Sequence, residues 1–217
     1  MTLALFDLDN TLLSSDSDYE WGQFLVNKGL VERDQYATAN QYFYDQYKQG
    51  VLDIHEFAAF SFKPLSERSM AELADLHREF MASIIQPLIT DAAQQLVEQH
   101  RRQGHTLMVI TATNSFITRP IVAAFGIPHL LATEPKIVDG RYTREIDGVP
   151  CFQAGKVTRL QHWLENREET LAGSYFYSDS RNDLPLLEMV DNPVAVDPDD
   201  MLKATALANG WPVISLR

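Results

Sequence analysis

Cysteine is nearly absent. Cys151 stands alone in 217 residues, which excludes an internal disulfide and a multi-thiolate zinc site. No apolar run approaches the roughly 20 residues of a membrane span, and Met1 to Phe6 has neither the basic start nor the length of a signal peptide. The expectation is a cytoplasmic protein that does not engage membranes. Positive charge is scarce too: 18 Lys and Arg face 30 Asp and Glu, a formal net charge of −12. A field of that sign disfavours nucleic acid and anionic lipid as partners. A small anionic substrate would then need local help from a divalent cation, a lysine or helix N-terminal amides. The six histidines, His55, His77, His100, His105, His129 and His162, show no paired ligand spacing and read as surface or packing residues.

What is present is an ordinary globular composition, 22% charged and 45% apolar. The chain is long enough for one α/β domain, or for a core with a smaller inserted unit. Leu3-Ala4-Leu5-Phe6-Asp7-Leu8-Asp9-Asn10-Thr11 reads as a buried strand that stops at two carboxylates two residues apart. Ligands of open α/β sheets sit beyond the carboxyl ends of strands, where Asp7 and Asp9 would stand. One carboxylate can then act as nucleophile or metal ligand while the other exchanges protons with the substrate. In isolation such a pair is as easily a solvated strand end.

Ser14 to Asp18 is a loop rich in N-cap residues, and a helix starts near Tyr19 with Trp21, Phe24 and Leu25 on one face. Asp16 and Asp18 either cap that helix or reach over the strand ends towards a cationic group. From about 19 to 86 the chain is helical and strongly aromatic, which predicts a small bundle lying above the strand ends as a cap. Lys63, Arg68 and Arg78 are its cationic candidates, each read as a solvated charge.

After Pro87 come a helix over Thr90 to Gln103 and a buried strand Thr106 to Thr111, ending in Thr111-Ala112-Thr113-Asn114. A hydroxyl and free amides at such a turn suit a phosphate oxygen, though Thr111 and Asn114 can equally cap the next helix, Ser115 to Phe125. A short third strand covers His129 to Thr133. A rim hairpin follows between Ile137 and Phe152, with turns at Asp139-Gly140 and Asp147-Gly148. Lys156 opens a helix in a position unfavourable to its dipole; it is either a tolerated exposed lysine or a phosphate ligand. The strand Ser174 to Asp179 ends at another aspartate, and Asp183 lies four residues on, so both could approach a cation held by Asp7. Short strands at Pro193 to Asp197 and Pro212 to Ser215 flank a helix from Asp199 to Asn209.

Asp7-Leu8-Asp9-Asn10-Thr11, Thr111 after an apolar strand, Lys156 at a helix start, and Asp179 with Asp183 after another strand occur in that order. The set resembles the four motifs of the haloacid dehalogenase superfamily, in its phosphoserine-phosphatase-like branch, over nearly the whole chain. The resemblance implies a doubly wound, mainly parallel Rossmann-like α/β core, residues 1–14 and 87–217, with a helical cap at 15–86. It implies a phosphatase in which Asp7 carries an aspartyl-phosphate and Asp9 is the general acid and base. Mg2+ would be held by the Asp7 side chain, the Asp9 carbonyl and Asp179, supported by Asp183. Thr111, Ala112 and Lys156 would bind the phosphoryl group. An acidic residue just after the first motif contacts the substrate amine in similar enzymes, which points to Asp16 or Asp18 and to a small amine-bearing phosphomonoester. Histidinol phosphate is favoured over phosphoserine because no cap arginine stands out to pair with a carboxylate. A phosphotransferase or a phosphate-accepting signalling module on the same scaffold is the alternative. Oligomeric state is not legible.

Overall fold

The protein, described over residues 2–217 by a computed structural model, is built outward from one buried strand. In β1 (Thr2–Phe6), Leu3 and Leu5 enter one apolar cluster while Ala4 and Phe6 enter another. Alternation along a strand that is apolar on both faces demands cover on both sides. The helices α1 (Ser17–Asn27), α2 (Arg33–Gln49), α3 (Ile54–Ser61), α4 (Lys63–Ser66) and α5 (Met70–Phe80) follow without a strand between them. A wide π-helical turn (Met81–Ile85) and a tight 3-10 turn (Gln86–Leu88) then lead to α6 (Asp91–Arg102), β2 (Thr106–Asn114) and α7 (Ser115–Ala124). Next come β3 (His129–Val138), β4 (Arg141–Asp147), α8 (Ala154–Leu164), β5 (Thr170–Ser178) and α9 (Leu184–Leu187). The chain continues through β6 (Asn192–Val196), α10 (Asp200–Asn209) and β7 (Val213–Ile214).

The seven strands lie in the order β4-β3-β2-β1-β5-β6-β7. Only the β3–β4 pair is antiparallel. This is the doubly wound architecture expected. Its strand order reverses at β1, so a crevice opens beyond the carboxyl end of that strand, between the β2 and β5 sides. No helix among the described residues is long and apolar enough to cross a membrane.

Three local readings need correction. The third strand does not stop at Thr133: it runs to Val138 and forms the first arm of the hairpin, with β4 at the sheet edge. Pro135 lies within the strand, beside a register shift between Pro135 and Ile137, where a proline is tolerated. Asp139 and Gly140, at φ +49° and +71°, then turn the chain back. The aromatic stripes also do not make a self-contained bundle core. Trp21 packs on Phe80 and on Phe116 of α7, in one cluster continuous with the sheet. Phe43 and Phe57, 5.5 Å apart, line a cleft instead. Finally, Arg68 is a brace: its guanidinium donates to the Pro64 and Leu30 carbonyls at 2.8 and 2.6 Å. The helical segment leaves and rejoins the sheet at one place, where Leu13 bridges Ile89 and the Ser14 amide donates to the Leu88 carbonyl at 3.0 Å.

Candidate active site

The Asp7 amide donates to the Tyr177 carbonyl at 2.9 Å, so Asp7 still lies in the line of the sheet. The chain then makes one wide turn, closed by the Leu13 amide on the Leu8 carbonyl at 2.9 Å. Asn10 takes a left-handed conformation there, φ +54°, which asparagine tolerates better than most residues. The turn swings Asp9 to face Thr113 and the start of α1. Its Oδ1 accepts the Ser17 amide at 2.7 Å and its Oδ2 the Thr113 hydroxyl at 2.8 Å. Thr11 completes the turn by donating to Asp179 Oδ1 and accepting the Asp179 amide, both at 3.0 Å. Both carboxylate-bearing strand ends are thereby fixed to each other.

Lys156 is not an exposed lysine. Only 1% of it is accessible, and its ammonium stands 3.0 Å from Asp7 Oδ1 and 2.7 Å from Asp183 Oδ1. Asp183 Oδ2 also accepts the Ser178 hydroxyl at 2.7 Å. Burial pushes the Lys156 pKa down, but the charges of Asp183 and Asp7 more than offset it and hold the ammonium protonated. Gly155 makes the placement possible: a Cβ there would lie 2.1 Å from the Pro150 carbonyl oxygen. The helix dipole argued against a lysine in that turn; two buried carboxylates argue more strongly for it.

Burial raises Asp7 to about 7, against the opposing pull of Lys156 and with help from Asp183 and Asp9. Asp179 is pushed well above the usual carboxylate range, first by burial and then by the charges of Asp7 and Asp183. Asp7, Asp9, Asp179 and Asp183 outnumber the one ammonium, so Lys156 alone cannot neutralise them all in the ionised form. Among the described residues no three His, Cys, Asp or Glu side chains form a ready metal cage. Two hard carboxylates with a free backbone carbonyl suit an ion that takes its remaining ligands from water and a phosphate. The donor set fits such a cation.

Thr111 and Ala112 line the same cleft from the end of β2. Thr111 does not cap α7. Its hydroxyl oxygen accepts the Thr113 amide at 3.2 Å, and Asn114 alone caps, accepting the Ile117 amide at 3.1 Å. Thr113, which steadies Asp9, went unrecognised in the sequence although it belongs to the same Thr-Ala-Thr-Asn turn. So did Ser61, which donates to Asp18 at 3.1 Å from a distant helix and leaves no local pattern.

The cleft is partly open and lies between the strand ends and the helical segment. Its walls include Asp7, Asp9, Asp16 and Asp18 with aromatic faces from Tyr19, Phe43, Tyr44, Tyr47 and Phe57; among the described residues no Lys or Arg lines them, and the nearest cation established is Lys156, buried behind Asp7 at 3.0 Å. Asp16 both caps and lines: its Oδ1 accepts the Asp18 and Tyr19 amides at 3.0 and 2.9 Å. Asp18 does no capping. Its Oδ1 accepts from Ser61 and, at 3.3 Å, from Asn114, and burial raises its carboxyl to about 7. Asp16 is pushed well above the usual carboxylate range, by burial and then by Asp9 and Asp18.

Comparison with known proteins gives one consistent result. Residues 4–188 match the family model of haloacid dehalogenase-like hydrolases. The chain is 47% identical to a histidinol-phosphatase of Neisseria meningitidis serogroup C (strain 8013), covering 99% of both proteins. It is 31% identical to a phosphoserine phosphatase of Mycobacterium tuberculosis (strain ATCC 25618 / H37Rv), covering 99% of this chain and 70% of that one. A crystal structure of a protein with unknown function from Bordetella pertussis Tohama I superposes with a TM-score of 0.93 at 44% identity, over 100% of both chains.

Proposed function

The chain belongs to the haloacid dehalogenase-like hydrolase family and is a phosphatase, and from that premise we propose that its substrate is a small amine-bearing phosphomonoester, with histidinol phosphate the best fit. The reading takes residues 15–86 as a cap that closes over the core. Asp7 attacks phosphorus, forming an acyl phosphate while the ester P–O bond breaks. Asp9, held at both oxygens by Ser17 and Thr113, gives its proton to the leaving alkoxide. It then takes a proton from water as that water attacks the aspartyl-phosphate, which releases inorganic phosphate and frees Asp7. Lys156 and the Thr111–Ala112 turn hold the transferring phosphoryl oxygens. Asp7, Asp179 and the Asp9 carbonyl would hold Mg2+, with Asp183 orienting Lys156; the ion supplies neutralising charge for phosphate among these carboxylates.

The lining of the cleft carries the substrate assignment. Carboxylates and aromatic faces suit an ammonium and an imidazole, whereas phosphoserine would bring a carboxylate to walls that, among the described residues, carry no Lys or Arg, with Lys156 already engaged by the phosphoryl group. The 47% identity to a histidinol-phosphatase supports the same choice. Phosphoserine stays as the second reading on the strength of the 31% relative.

Phosphate release from a panel of small phosphomonoesters, with Mg2+ or with EDTA and beside Asp7→Asn, tests the proposal. The expected result is metal-dependent release, abolished in Asp7→Asn, with the highest kcat/KM for histidinol phosphate. A higher kcat/KM for phosphoserine would select the second reading. Phosphate appearing on an added acceptor instead of in solution would replace hydrolysis by transfer.

A further inference from the structure

We infer that Arg217 is a positioning residue for the catalytic turn. Its guanidinium donates from Nη1 to the Leu13 carbonyl at 2.9 Å and from Nη2 to the Asn10 carbonyl at 2.8 Å. Asn10 is the left-handed residue inside the wide turn that carries Asp9 and Thr11, and Leu13 is the residue that closes it, so the fork holds the turn at its middle and its end. On its other side the turn is held by the Thr11–Asp179 exchange. Without Arg217, the left-handed asparagine would keep that exchange, the Leu13–Leu8 closure and its own amide's bond to the Ser15 carbonyl at 3.0 Å, but would lose the contacts that fix its carbonyl and that of Leu13.

The guanidinium is itself anchored. Its Nε lies 3.7 Å from Asp197 Oδ2, which also accepts the Leu216 amide at 3.0 Å. Leu216 is buried in the main core, and its carbonyl accepts the Thr90 hydroxyl at 2.8 Å. Residues 216 and 217 are therefore tied to the core and to Asp197, and the Arg217 fork reaches the turn. Two separated carbonyls need a planar fork with several donors; an ammonium on a flexible stem cannot span them in the same way. Arg217 is exposed and its side-chain contacts are to Asn10, Leu13 and Asp197, so it acts through the placement of the Asp9 backbone and side chain.

This inference rests on the phosphatase reading of Asp7 and Asp9. The experiment compares kcat and KM of the wild type, Arg217→Ala and Arg217→Lys on the best phosphomonoester, with Asp7→Asn as the inactive control, and adds low millimolar guanidinium chloride to each. A displaced catalytic group costs rate more than binding, by roughly ten- to a hundredfold. The expected result is a fall of that size in kcat for both variants with KM within about twofold, and partial recovery of Arg217→Ala, but not of Arg217→Lys, by guanidinium. A kcat within twofold of wild type in a folded Arg217→Ala would overturn the inference. So would a loss that guanidinium does not restore and that tracks a fall in Tm. Wild-type protein with no turnover at all would instead remove the phosphatase reading beneath it.

Discussion

The Lys156 ammonium and the Asp7 carboxylate sit 3.0 Å apart with 1% and 4% of their side chains accessible, and Asp183 closes the other side of the lysine at 2.7 Å. A buried pair of this kind is costly to break from one side, because the surviving charges have no water to turn to. Lys156→Met is expected to lower unfolding free energy by about 3–5 kcal/mol and to abolish turnover. Part of the stability, and none of the activity, should return in Lys156→Met with Asp183→Asn. Urea unfolding of the two single variants and the double gives the coupling directly; additive losses would mean the lysine is held by something other than these carboxylates.

Asp18 makes stability depend on pH in the direction opposite to a salt-bridged carboxylate. Its native pKa is near 7 and its ordinary value 3.8, so between those values the folded protein holds a proton that the unfolded chain has released. Unfolding then releases that proton, and stability must fall as pH rises from about 4 through 7. One such group contributes a slope of up to about 1.4 kcal/mol per pH unit. Asp7 titrates in the same sense, so Asp18→Asn should make the slope shallower without removing it. Urea midpoints at pH 5, 6 and 7 in EDTA measure this; an unchanged slope would contradict the protonated Asp18.

The sheet and the four aspartates around its switch point were legible because each rests on a local signal: an apolar run, a breaker, a carboxylate at the break. Lys156 was ambiguous for a physical reason. Its local environment, a first helical turn, argues against a cation, and the two carboxylates that reverse that argument lie 149 and 27 residues away in sequence. Thr113, Ser61 and Arg217 were invisible for the same reason, since each acts on a group brought near only by the fold. The continuation of β3 past Pro135 was hidden by a register shift that no propensity records.

Asp16 and Asp18 are distinguishable by what else each does. Asp16→Ala removes the cap of α1, which costs about 1 kcal/mol of stability, whereas Asp18→Ala removes a carboxylate bonded only to Ser61 and Asn114. If Asp18 receives the cationic end of the substrate, Asp18→Ala should raise KM for histidinol phosphate at least tenfold, roughly the loss of one charge-assisted hydrogen bond. It should leave KM for a neutral alkyl phosphate nearly unchanged. Equal effects on both esters would place the contact elsewhere in the cleft.

Gly155 separates packing from catalysis at the same site. A side chain there meets backbone, not a movable side chain: the added Cβ would stand 2.1 Å from the Pro150 oxygen, so the α8 start must shift. Gln153, two residues before it, already holds a strained positive-φ conformation at φ +48° and ψ −123°, leaving little freedom to absorb the movement. Its side chain also donates to Asn182 Oδ1 at 3.2 Å, which ties this turn to the one that carries Asp183. Gly155→Ala should therefore displace Lys156 from Asp7 by several tenths of an ångström or more. The expected outcome is a fall in kcat of at least tenfold, since groups held near 3 Å tolerate little misplacement, together with a lower Tm. Activity at wild-type level in Gly155→Ala would mean that α8 can slide without carrying Lys156 away, and the pre-set position of the lysine would lose its claim to a catalytic role.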